Sequence, residues 1–185
     1  MDQEEFWTLI ESTKGGGCQQ HAQRLEARLR ALPPNQILAF ERLQRQLLAE
    51  AYRWDLWGAA YLIQGGCSDD GFEFFRGWLI GQGRAVFETT LRDPDSLAEH
   101  PQVRPVTPAT RWDLLLWCEA LLEVAADAYK TITGRELTDV YEPDPEFQHR
   151  LQHGPAGDDW NFDDEGEMRR RYPKLWAKLG LDKFR

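Results

Sequence analysis

ATRWDLLLWCEALLEVAADAYKTIT, residues 109–133, decides the fold, because it reads as one long helix that other elements must cover. Thr107 and Pro108 supply an N-cap and a first helical residue whose missing N–H costs nothing, and Gly134 supplies the C-terminal cap. Working outward, shorter segments with apolar residues three and four apart precede it. In DQEEFWTLIES, Asp2 and Glu5 stand in a capping-box pattern ahead of Phe6, Trp7, Leu9 and Ile10. Gly15, Gly16 and Gly17 end that helix, and Ala22, Leu25, Leu29 and Leu32 mark the next. Pro33 and Pro34 open a third, with Ile37, Phe40, Leu43, Leu47 and Ala51 as its stripe, and the helical pattern runs on through DLWGAAYLIQ to Gly65 and Gly66. Ser68 caps a helix over FEFFRGWLI, Gly81 and Gly83 interrupt it, and RAVFETTL resumes it before Asp93 and Pro94, with an extra turn at DSLAEH.

No stretch sustains the period-two alternation of a strand. The expectation is therefore all-α: a single compact domain over residues 1–185, six to eight helices around the long central one, with residues 1–140 as the helical core. Residues 141–185 form an extension in which Pro143, Pro145, Gly154, Pro155 and Gly157 interrupt the pattern and acidic residues accumulate. That segment is expected to be irregular until RRRYPKLWAKLGL, where Leu175, Trp176 and Leu179 anchor a short docking helix.

Composition narrows the function. The chain is ordinary in its 42% hydrophobic and 29% charged content, and a domain of 185 residues buries roughly 70% of its unfolded surface without help from a metal or disulfide. Its net charge of −9 repels nucleic-acid backbones and anionic membranes, so no direct nucleic-acid partner and no membrane partner is expected. Cys18, Cys67 and Cys118 are widely spaced and include no Cys-x-x-Cys pair, which argues against a disulfide framework. The acidic opening MDQEEFWTLI has neither a signal peptide's basic start nor a long apolar run, so the cytoplasm is the expected address.

The corner between Trp54 and Arg84 carries the polar residues that are out of place. Asp55 shares a helical sector with Ala51, Ala59 and Leu62, and Arg76 shares one with Phe72, Leu79 and Ile80. Buried charges need partners, so an ion pair between Asp55 and Arg76 across the Gly65–Gly66 turn is the simplest resolution, serving either to set helix register or to floor a pocket. In the second case Asp55, Trp57, Asp69, Asp70, Arg76 and Arg84 hold a small polar ligand. A phosphate in the glycine corner is disfavoured, because Asp69 and Asp70 would repel it. Cys67 beside a helix N-terminus is a candidate for a depressed thiol pKa, opposed by the same two carboxylates.

The run AYRWDLWGAAYLIQGGCSDDGFEFFRGWLIGQGR, with DPDSLA after it and YPKLW near the end, resembles the bacterial domain-of-unknown-function family numbered 4240. The resemblance implies a helical bacterial protein, standing alone or beside a WGR domain, and transfers no catalytic residue. This chain has no Trp-Gly-Arg tripeptide, so a nucleic-acid-linked accessory role rests on that family context alone.

Two C-terminal patterns are weighed for metals. His149 and His153 are four apart and can share one helix face, with Asp158 or Asp159 as a third zinc ligand, but Arg150 stands where the metalloprotease glutamate belongs. Asp159, Asn161 and Asp163 alternate like the start of a calcium loop, yet Asp164 replaces the turn glycine and Arg170 the bidentate glutamate. A solvated loop capping the last helix is the simpler reading. No cofactor is expected. The sequence favours a non-enzymatic binding or regulatory module for a protein or small polar ligand; the alternative is a metal-dependent hydrolase or lyase using Asp55, Asp69 and Asp70 or the His149/His153 pair.

Overall fold

In a computed structural model that describes residues 1–107, 109–110, 113–143 and 145–184, the main chain forms ten α-helices and no strand among the described residues. The side chains of residues 146, 147, 150, 151, 183 and 184 lie outside the description, as do the expected helix start at Pro108 and its neighbours Arg111 and Trp112. The all-α expectation holds. Helices α1 (Gln3–Thr13), α2 (Cys18–Leu29), α3 (Pro34–Glu50), α4 (Trp54–Gln64), α5 (Asp69–Gly81) and α6 (Arg84–Arg92) follow the apolar periods, and a 3₁₀ turn spans Pro94–Glu99. The Asp2–Glu5 capping box forms, Gly65 closes α4 in the left-handed conformation, and Ser68 Oγ accepts the Gly71 N–H at the head of α5.

The long central helix does not form as expected. Helix α7 runs only from Ala120 to Thr133, and Leu114–Cys118 is extended. Along it Leu114, Leu116 and Cys118 are buried while Leu115 and Trp117 are 50% and 43% exposed, which is the alternation of an extended chain, not a helical face. The cause lies in α5. A Cβ on Gly77 would stand 2.8 Å from the Cys118 carbonyl oxygen and one on Gly81 2.5 Å from Leu121, so these glycines let the chain lie directly on the helix. The Cys118 N–H donates to the Phe74 carbonyl at 3.0 Å, and Cys118 is disulfide-bonded to Cys18, the first residue of α2. The cysteine spacing, which argues against a disulfide framework, does not foretell this single bond; Cys67 is free. Helix α7 packs mainly on α2 and α3, and its Leu121, Val124, Ala125 and Ala128 join Leu25, Leu29 and Phe40 in the buried core.

The chain also breaks between α3 and α4, where a continuous pattern is expected from sequence. At Tyr52–Trp54 the backbone pairs with Ala156, whose N–H reaches the Tyr52 carbonyl while its own carbonyl accepts from Trp54. The extension is consequently more ordered than its proline and glycine content suggests. It forms α8 (Pro145–His153), α9 (Glu165–Arg171) and α10 (Pro173–Leu179), with irregular chain between the first two. Gly58 of α4 makes room for Trp160 and for the Tyr172 hydroxyl, which donates to the Asp55 carbonyl, and Asp164 caps α9. No described helix is long and apolar enough to cross a membrane.

One buried carboxylate ties two of the family-like motifs together. Asp95 in DPDSLA accepts the backbone N–H groups of Lys174 at 2.9 Å and Leu175 at 2.8 Å, and so caps α10 from a distant part of the chain. Asp95→Ala leaves two N–H groups unpaired and is expected to cost roughly 2–4 kcal/mol in urea unfolding. A loss below about 0.5 kcal/mol would show that this contact does not hold the docking helix.

Candidate functional site

The corner expected to form a polar pocket is filled instead by rings. Trp57 stacks on Phe72 at 4.9 Å between centroids and on Trp54 at 5.4 Å, and its Nε1 donates to the Cys67 carbonyl at 2.9 Å. Arg76, 4% exposed, donates through Nη1 to the Leu48 carbonyl at 2.8 Å and lies over the rings of Tyr52 and Phe72. Burial pulls its pKa down to about 10, against the raising influence of Glu73.

The expected Asp55–Arg76 ion pair is absent among the described residues. Asp55 pairs with its near neighbour Arg53 at the head of α4, and both are about one-third exposed. Asp69 and Asp70 are exposed in the first turn of α5. Arg84 belongs elsewhere, paired with Glu4 and Glu88 where α1 meets α6. The six residues thus do not converge on one ligand site. Cys67 also departs from expectation, because burial pushes its thiol up to about 12, away from nucleophilic reactivity.

The metal readings gain no ligand set. The rings of His149 and His153 stack 3.8 Å apart on the exposed side of α8, and His153 Nδ1 bonds the His149 carbonyl. Among the described residues no group of three or more His, Cys, Asp or Glu side chains is arranged to hold a metal ion. Asp163, in the acidic loop, accepts the Tyr61 hydroxyl at 2.6 Å.

A cleft of about 280 Å³ lies between α6 and the Pro94–Glu99 turn, and two more flank the disulfide, which sequence reading passed over. On one side a cleft of about 500 Å³ runs between α2 and α7 and is edged by Glu26, Glu119, Glu123 and Asp127. On the other a cleft of about 330 Å³ opens between the head of α2 and the end of α5, reached by Lys14, Gly17, Cys18, His21, Gln82 and Gln102. None of the described residues lining this second cleft is a carboxylate. Gly15, Gly16 and Gly17 all hold positive φ, which brings a bare backbone loop to the cleft edge.

His21 is its least expected feature. The residue is only 5% exposed, and its Nε2 bonds the Ile10 carbonyl at 3.0 Å. A carbonyl only accepts, so the proton sits on Nε2 and Nδ1 keeps a lone pair. Among the described residues Nδ1 has no hydrogen-bond partner; it lies beside Gly81, where a Cβ would stand 3.5 Å from Nδ1 and 2.5 Å from Leu121, so the glycine lets Leu121 pack close to the ring. Burial lowers the His21 pKa, the Ile10 bond opposes this, and the charges of Arg24 and Lys14 add to the lowering. Sequence reading missed this histidine because its helical sector, shared with Leu25 and Ala22, marks only a core position; the glycine triplet before α2 was the available signal.

No curated protein and no solved structure matches the chain. A family model described as a protein of unknown function, DUF4240, matches residues 1–131, which include the disulfide, His21 and every residue named above as lining the second cleft. The chain belongs to that family.

Proposed function

We propose that this protein is a binding module that holds a small polar ligand in the 330 Å³ cleft between the head of α2 and the end of α5. The observation that carries the reading is the buried imidazole of His21, with its tautomer set by Ile10 and an unpartnered Nδ1 at the cleft wall. An acceptor on the cleft wall without a protein partner is left to water, and a ligand donor can take that water's place. Lys14, Gln82 and Gln102 add polar groups around the same space, while Trp78 and Leu121 supply apolar wall, the mixture typical of small-molecule sites. The proposal moves the ligand away from the Gly65–Phe72 corner, whose space is taken by Trp57 and Phe72.

A screen of small polar metabolites by backbone amide NMR tests it. A true ligand shifts the amides of Gly15–His21, Gln82 and Gln102 together. Shifts confined to Gly65–Phe72, or no shift with any compound, would overturn the assignment.

A further inference from the structure

We propose that the group taken by this cleft is a singly protonated oxyanion of the phosphate type, held by the N–H groups at the head of α2 and by Lys14, with its O–H donated to Nδ1 of His21. The inference rests on the cleft reading above and names its ligand class.

Helix α2 is 12 residues long, and its first turn is uncapped. Gly17 has no side chain to offer, and the N–H groups of Cys18, Gln19 and Gln20 find no acceptor among the described residues; the first N–H to turn inward is that of His21, bonded to the Gly17 carbonyl at 3.0 Å. Gly17 and Cys18 themselves line the cleft. Free N–H groups and the positive end of the helix dipole together attract an anion. No acidic residue sits in that first turn, in contrast to α5 with Asp69 and Asp70. Lys14 adds a cation: its Nζ donates one hydrogen to the Gln82 carbonyl at 2.7 Å, leaving two N–H groups. In a chain of net charge −9, this cleft has no carboxylate among its described lining.

These features alone would suit any anion, and His21 makes the choice. A neutral imidazole lone pair repels a bare anionic oxygen and accepts a hydrogen bond from an O–H. Burial, with the charges of Arg24 and Lys14, lowers the His21 pKa against the raising effect of the Ile10 bond, and so favours the neutral ring. Nδ1 therefore distinguishes a protonated oxyanion from one with no proton to give. Phosphate and phosphomonoesters retain a proton on part of their population near neutral pH; sulfate, of the same shape, does not.

Calorimetric titration of the full chain at pH 7 with inorganic phosphate, sulfate and methyl phosphate tests the inference. Phosphate is expected to bind roughly tenfold or more tightly than sulfate, because one O–H to nitrogen hydrogen bond is replaced by a repulsion between lone pairs. His21→Phe should bring phosphate down to the level of sulfate. Lys14→Met, at an exposed position, should weaken both several-fold and leave their ratio unchanged, which keeps the test open if the His21 variant fails to fold. Methyl phosphate binding tighter than phosphate would point to a phosphorylated metabolite as source, and weaker binding to free phosphate; both outcomes keep the protonated oxyanion. Equal binding of sulfate and phosphate by the unaltered chain would overturn it. If neither phosphate nor methyl phosphate binds while a screened compound shifts the Gly15–His21 amides, the anion assignment falls and the cleft stands; if nothing binds, both fall.

Discussion

Serine at both Cys18 and Cys118 is expected to lower stability by about 3–5 kcal/mol, and the melting temperature by on the order of 10 °C. The bond joins residues 100 apart in sequence, so its loss returns a large loop-closure entropy to the unfolded chain. The native side loses as well. Leu114–Cys118 reaches α5 through the Cys118–Phe74 backbone bond and the burial of Leu114 and Leu116, and the disulfide ties its end to the head of α2. Thermal melts with and without dithiothreitol check this: the reduced parent should match the double serine variant, and Cys67→Ser should keep the full response to reductant. A parent melt indifferent to reductant would show that the bond adds nothing. Because disulfides persist in oxidising compartments and are rare in reducing ones, the expected cytoplasmic address would leave this pair reduced and the protein in its less stable form.

The sequence made the helices legible wherever local chemistry decides them. Asp2 with Glu5, Ser68 before α5 and Gly65 after α4 act within a few residues, and each does what its type predicts. What stayed hidden depends on distant contacts. Nothing in LLLWC shows that Gly77 will bring the Cys118 backbone onto α5, so an apolar run free of glycine and proline reads as helix. The break at Tyr52–Trp54 is likewise stabilised by Ala156, about a hundred residues away. The candidate site suffered in the same way: Asp55 and Arg76 are correctly seen as charges on apolar sectors, but a helical wheel cannot show that one turns outward to Arg53 and the other finds a main-chain carbonyl.

Arg76→Ala is accordingly expected to cost about 3 kcal/mol, and Asp55→Ala less than about 1 kcal/mol. Arg76 meets the Leu48 carbonyl in the last turn of α3, where a helix leaves carbonyls without internal partners, so the guanidinium acts as a cap delivered from α5. Its removal strands that oxygen, opens a void beneath Tyr52 and Phe72, and ends the cation–π contacts. Asp55 holds only a partly exposed pair with Arg53 and one N–H at the head of α4, and the main-chain carbonyl that accepts from Tyr172 survives substitution. With no shared partner, the two losses should add to within about 0.5 kcal/mol in a double-mutant cycle read by urea unfolding. A coupling well above about 1 kcal/mol would mean that the two charges do meet in solution, and would return the Gly65–Phe72 corner to contention as the ligand site.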